Sequence, residues 1–319
     1  MLKHKSSMRK ARRADFRIVW GLLPLLSLIV AGCHRHDTPP KRSAYYWSTT
    51  WESDSALTSF LESNGVDKIY LRFFDVVVDD DDKVMPNATL RFANAVPDSI
   101  EVVPTVFIVN GCMKKDVSNL DQLLMKRILQ MCETHDVLNV KEIQIDCDWS
   151  PSTRKSYFEM LSRLRSSLHA KGLRLSATIR LHQLGEAPPP VDHGVLMMYN
   201  TGDVSNKDKN PILDLDDCAP YLPNLSKYDL PLSAAYPVFS WDLLFRESHF
   251  VGILHGDDLP VIEGDTIITR EVALETIQKA KEAIQRIKPS TNDEVILFEI
   301  SKDNIQRINH YHYEKIYNH

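Results

Sequence analysis

The stretch Glu142–His182 reads EIQIDCDWSPSTRKSYFEMLSRLRSSLHAKGLRLSATIRLH. Its first eight residues alternate. Ile143, Ile145, Cys147 and Trp149 fall on one side and Gln144, Asp146 and Asp148 on the other, the period of a β-strand. Ser150-Pro151-Ser152 then supplies a helix start, with proline near the first turn. Tyr157, Met160, Leu161, Leu164 and Leu168 follow at helical spacing as one apolar stripe, and Gly172 is a stop. Alternation returns from Arg174, where Ser176, Thr178, Arg180 and His182 are interleaved with apolar residues. The stretch is a strand, a helix and a second strand.

Working outward, the same unit recurs. Apolar, β-branched and aromatic runs predict strands at about 44–50, 66–76, 100–109, 142–149, 173–181, 192–199, 231–238 and 294–300, with helices at about 54–64, 118–135, 151–171 and 271–287. Strand and helix alternating to a count of eight predicts a parallel (β/α)8 barrel, the TIM-barrel architecture, over residues 44–319. The 241–270 segment has few helix signals and reads as an insertion after the seventh strand, on the ligand-binding side. Residues 78–99 and 201–212 are further loops there, and the Asp79–Asp82 run reads as a solvated turn.

Upstream of the barrel the chain reads differently. Seven basic residues crowd the first 17 positions with one acid, Asp15, and an apolar run of 14 residues follows from Ile18 to Ala31. That run is short for a bilayer span and suits a signal-peptide core. It ends Val30-Ala31-Gly32-Cys33, small residues before a cysteine, as in the bacterial lipobox. The expectation is cleavage of residues 1–32, lipidation of Cys33 and a polar tether over 33–43. The protein would then sit in the cell envelope, held at the membrane by its lipid alone. No aspartate follows Cys33; His34 does, which favours the outer membrane.

The leader removes seven of the 38 basic residues and one of the 43 acids, so the remainder carries 31 against 42, a net charge of −11. That balance disfavours nucleic acid as a partner. Cys112, Cys132, Cys147 and Cys218 form no CxxC pair and have no histidine at metal spacing, so neither a metal nor a cofactor is expected. Pairing among these cysteines is open. At 43% hydrophobic, the mature length can bury one large core.

In a barrel the polar faces of these strands point inward, and chemistry sits at their C-terminal ends. Asp146 and Asp148 would lie about 6.5–7 Å apart by strand rise, close enough for like charges to push one proton affinity upward. Arg180 is a partner for either acid, and His182 a substrate contact past the strand end. The sixth strand runs Gly194-Val195-Leu196-Met197-Met198-Tyr199-Asn200, with Met197 and Tyr199 inward. On the second strand Tyr70, Arg72 and Phe74 share a face, and Arg72 would need an acid there. Glu299 ends the eighth strand as a reserve acid. Trp47, Trp51, Tyr236 and Trp241 stand near strand ends, where a ring can stack on a sugar.

The Ile145-Asp146-Cys147-Asp148-Trp149 and Met197-Met198-Tyr199-Asn200 elements resemble the chitinase-like family 18 glycoside hydrolases. Those are (β/α)8 barrels with a DxxDxDxE motif on strand four and a Met-x-Tyr-Asp/Asn element on strand six. The chain also resembles an uncharacterised family of bacterial TIM-barrel lipoproteins, a domain of unknown function. In one frame Asp146 and Asp148 take the motif's last two aspartates and Ser150 replaces the acid glutamate. In the other, Gln144, Asp146 and Asp148 fill the last three places and an aspartate replaces that glutamate.

Three functions follow. The first is a glycoside hydrolase in which Asp148 donates a proton, Asp146 stabilises positive charge or orients an acetamide, and Tyr199 helps to hold it. Trp47, Arg72, Gln144, Arg180, His182, Asn200, Tyr236 and Glu299 would contact the carbohydrate. The second is a non-catalytic glycan-binding or scaffold lipoprotein on a retired hydrolase barrel. The third, an amide or ester hydrolase, lacks the activated nucleophile or metal cluster such chemistry wants.

Overall fold

A computed structural model describes residues 39–254, 259–308 and 310–318. The leader, Cys33 and most of the expected tether lie outside these residues. Among the described residues no helix is long and apolar enough to cross a membrane.

All eight expected strands form and close into a parallel barrel: β1 Lys41–Tyr46, β2 Lys68–Val78, β3 Glu101–Ile108, β4 Glu142–Asp146, β5 Arg174–Ile179, β6 His193–Met197, β7 Leu232–Pro237 and β8 Glu294–Phe298. Closure is made by β1, which pairs with β8 (Ser43 opposite Ile296) and with β2 (Ser43 opposite Lys68). The helices outside are α1 Ser55–Asn64, α2 Leu120–Thr134, α3 Arg154–His169 and α4 Leu274–Ile287, with α5 Lys302–Arg307 and α6 His310–Tyr317 closing the chain. In α3 the expected stripe of Tyr157, Met160, Leu161, Leu164 and Leu168 is fully buried. Each of its leucine and methionine side chains contributes about 1.5–3 kcal/mol. Asp54 caps α1 by accepting from the Leu57 amide at 2.8 Å, and Gly65 ends it at φ 61°, a left-handed turn that suits glycine.

The barrel is filled in layers. At its N-terminal end Lys68 Nζ lies 3.2 Å from Glu294 and 3.6 Å from Glu142. Ser43 and Ser233 donate to Glu294 at 2.6 and 2.8 Å. Burial pushes the Glu294 carboxyl up, but Lys68 and the two hydroxyls more than offset this and leave it below its usual range. One layer higher, Tyr45 donates to Gln144 Oε1 at 2.6 Å and packs on Tyr70, ring centroids 4.8 Å apart.

Four expectations change. β1 starts at Lys41, inside the stretch read as tether, because its polar residues have inward or rim partners: Ser43 bonds Glu294, and Arg42 donates to the Asn64 carbonyl at 2.8 Å. The pairing of β2 with β3 slips between Arg72 and Phe74. This bulge turns Phe74 out under the guanidinium of Arg127, 5.0 Å above its ring, and brings Asp75 beside Arg72. Trp51 is wholly buried and meets Tyr46 edge-on, so it packs the fold instead of facing a ligand. The 241–270 insertion is a three-stranded antiparallel sheet, Ser240–Arg246 central between His249–Leu254 and Thr266–Glu271. Cys112, Cys132, Cys147 and Cys218 are all free thiols.

Candidate functional site at the barrel mouth

Asp146 is the last residue of β4 and is only 5% exposed. Its Oδ1 accepts from Thr178 Oγ1 and from Arg180 Nη1, each at 2.6 Å. Both donors come from β5 and its end, as alternation predicts. Burial works against the charge on Arg180, but Asp146 and then Asp148 outweigh it, so the guanidinium is held more firmly protonated than usual. Arg180 Nε also lies 3.7 Å from Asp148 Oδ1. A cation therefore stands between the two aspartates, and they do not form the bare like-charged pair that spacing suggests.

Asp148 differs sharply from its neighbour: its side chain is 59% exposed and approaches His182 Nε2 at 3.5 Å. It opens into a cleft of about 250 Å³ with Arg180, His182, Met197, Tyr199 and Asn200 in its lining. Asn200 takes φ 55° there, a left-handed conformation that asparagine tolerates. Thr201 and Tyr221 also line it. Both sit in loops after β6, where periodicity gives no signal. Tyr199 is nearly buried, its hydroxyl bonded to no described residue. Burial raises its pKa well above the usual phenol value, with the charge of Asp146 adding to this. It is thus a neutral O–H donor at the cleft wall.

The other side of the mouth is aromatic. Trp47 meets Phe298 at 5.6 Å, Phe298 stacks on Tyr199 at 4.2 Å and 16°, and Tyr199 leads to Phe239 at 6.2 Å and on to Trp241 at 5.3 Å. Phe298 and Phe239 complete this row. Phe298 was legible, since strand alternation puts it inward with Ile296. Arg72 forms a two-pronged pair with Asp75, its Nε donating to Oδ1 at 2.8 Å and its Nη2 to Oδ2, and it lies over the Trp47 ring at 5.4 Å. Glu299 is half-buried beside them. Burial pushes its carboxyl up to about 7, against the pull of Arg72 and the Trp47 amide.

Two expected contacts lie elsewhere. Gln144 is fully buried beneath Asp146, bonded to Tyr45 and 3.4 Å from Ser176. Tyr236 points outward from β7 into the helix layer, where its hydroxyl donates to Asn292 at 2.7 Å. The outer parity of β7 (Ala234, Tyr236, Val238) places it there. Ser150 is drawn away from the cleft into the α3 cap, within 3.3 Å of Asn110 Nδ2 and 3.2 Å of Thr153 Oγ1. Among the described residues no cluster of three or more histidine, cysteine or acidic side chains converges as a metal site would need.

No family model matches the sequence and no curated protein matches it. Solved structures do. A chitinase from Chromobacterium violaceum superposes with a TM-score of 0.56 at 12% identity, over 87% of this chain and 98% of that one. The spore cortex-lytic enzyme SleL of Bacillus cereus gives 0.55 at 12%, over 88% and 75%. A chitinase from Bacteroides thetaiotaomicron gives 0.53 at 13%, over 84% and 93%. At such identities the likeness is one of fold: the chain has the α/β TIM-barrel architecture that these glycoside-hydrolase-like structures share.

Proposed function

We propose that the protein is a glycan hydrolase working at the C-terminal mouth of its barrel, with Asp148 as the carboxyl that exchanges a proton with substrate or water. One observation carries this reading. Of the two aspartates at the end of β4, Asp146 is locked by Arg180 and Thr178, whereas Asp148 is open to a cleft walled by a neutral phenol and flanked by aromatic rings. Asp146 then acts indirectly, by holding Arg180 beside Asp148. Tyr199 donates its hydroxyl to a substrate carbonyl or ring substituent, His182 and Asn200 contact the sugar at the cleft rim, and Trp47 and Trp241 offer faces for stacking. The neighbouring chitinases and cortex-lytic enzyme suggest amino-sugar glycans as the first probes: chitooligosaccharides and peptidoglycan strands. Asp148→Asn should lower turnover of the cleaved probe by about 100-fold or more without changing the fold. Unchanged turnover would end this assignment.

A second reading, glycan binding without turnover, is favoured by Ser150, the residue in the glutamate position of one motif frame, being tied into the α3 cap. It requires binding of the same probes with no product and with affinity indifferent to Asp148→Asn. We further propose that the barrel works in the cell envelope, tethered through lipid on Cys33 to the outer membrane. Incorporation of labelled palmitate that disappears in Cys33→Ala supports this, and label retained in that variant contradicts it.

A further inference from the structure

Glycosidic hydrolysis by paired carboxyls needs two that reach one bond, one giving a proton and one taking it. Strand β4 does not supply both, because Asp146 is sealed at 5% exposure by Arg180 and Thr178. We propose that the second working carboxyl is Glu299, at the end of β8, which protonates the leaving glycosidic oxygen while Asp148 takes a proton from the attacking water. This rests on the hydrolase reading above and assigns the direction of proton transfer within it.

The geometry supports the pairing. In the closed strand order β8 lies opposite β4, so Glu299, just past the end of β8, and Asp148, just past the end of β4, stand on opposing walls of the barrel. Tyr199 is common to both: it lines the cleft of Asp148, its ring stacks on Phe298 next to Glu299, and the charge of Glu299 acts on its phenol. No described side chain hydrogen-bonds the Glu299 carboxyl; the Trp47 backbone amide holds it, with the Arg72 charge nearby. It is a half-buried acid held by one backbone amide and near one cation, at a position where burying a carboxyl is costly. The charged and titratable groups facing it are Arg72 with its partner Asp75 from β2, and Tyr199 from β6. Burial raises its affinity for the proton until it titrates at about 7, which suits a donor at neutral pH. Asp148 lies 3.7 Å from the Arg180 guanidinium and 3.5 Å from His182 Nε2.

The bond from the anomeric carbon to the bridging oxygen breaks, with its electron pair going to that oxygen. The oxygen takes the Glu299 proton and leaves as a hydroxyl. Water bonds to the anomeric carbon and gives one proton to Asp148. Release of that proton and reprotonation of Glu299 from solvent restore the enzyme, so one water is consumed per bond.

The test compares two substrates: the oligosaccharide that the wild type cleaves, and a 2,4-dinitrophenyl glycoside of the same sugar, whose leaving group departs without a proton. Glu299→Gln should lose 100-fold or more on the first, in the range of general acid catalysis, stay within about tenfold on the second, and lose the fall in kcat/KM that the wild type shows as pH rises through about 7. Asp148→Asn should lose activity on both substrates. Equal loss on both by a folded Glu299→Gln, or no loss on either, overturns the assignment while leaving the hydrolase reading standing if Asp148→Asn is inactive. If wild type turns over neither substrate, both readings fall. Should Glu299→Gln fail to fold, Glu299→Asp replaces it, and the descending limb must move with the new carboxyl. A limb that stays in place overturns the proposal.

Discussion

Replacing Arg180 with methionine isolates the ion pair that organises the mouth. The side chains of Arg180 and Asp146 are 18% and 8% exposed, so solvent screening takes little from their interaction. Methionine keeps much of the arginine stem's volume but leaves the Asp146 carboxylate with Thr178 as its remaining hydrogen-bond donor. Removing one partner of a buried pair costs about 3–5 kcal/mol, most of it the penalty of the stranded charge. In equilibrium urea unfolding with an m-value of about 3 kcal/mol/M, the midpoint should fall by roughly 1–1.7 M. Asp146→Asn with Arg180→Met should recover part of the loss, because no charge is then stranded, giving a coupling of about 1.5–3 kcal/mol in the double-mutant cycle. A cost below about 1 kcal/mol for Arg180→Met, or singles that add to the double within about 0.5 kcal/mol, would refute the reasoning.

Two further outcomes follow from particular contacts. Glu299 binds its proton more tightly when folded, at about 7 against an ordinary 4.5. The folded state therefore holds more protons between those values and loses stability as pH rises through that window. Glu299→Gln should match wild type near pH 4 and exceed it by up to about 3 kcal/mol at pH 8, measured by denaturant midpoints at the two pH values; a difference independent of pH would contradict the burial argument. At Gly194 an added Cβ would come within 2.7 Å of Leu232 Cδ2 and 2.9 Å of Ile179 Cγ1 and Leu230 Cδ2. Gly194→Ala should therefore cost about 1–3 kcal/mol, and a neutral result would mean that these three leucine and isoleucine ends move freely.

The barrel was legible because its signals are local and repeated. Each strand carries an apolar outer face against the helices, and β4, β5 and β6 put their polar or aromatic residues inward at the parity read from alternation: Asp146 with Asp148, Thr178 with Arg180, and Met197 with Tyr199. Alternation fails where the backbone breaks step. The bulge after Arg72 sends Phe74 outward and delivers Asp75 as the partner that Arg72 required, and no period-two pattern announces an inserted residue. The insertion's hairpin turns through Glu247 and Ser248 at φ 47° and 69°, positions where asparagine or glycine would have marked a turn, so the segment reads only as an insertion with few helix signals. Tyr236 was misplaced because closeness to a strand end says nothing about which face a residue takes. The difference between Asp146 and Asp148 was also invisible from spacing. It arises because Arg180, from the neighbouring strand, reaches one of them at 2.6 Å and the other only at 3.7 Å.

The claim that this mouth hydrolyses glycans is tested most directly by incubating the wild-type protein with peptidoglycan strands and chitooligosaccharides in water enriched in oxygen-18, then weighing the products by mass spectrometry. The account predicts shortened chains carrying one heavy oxygen at each new reducing end, and no such products from Asp148→Asn. Glycans recovered intact from the wild type, or cleaved without uptake of the label, would contradict it.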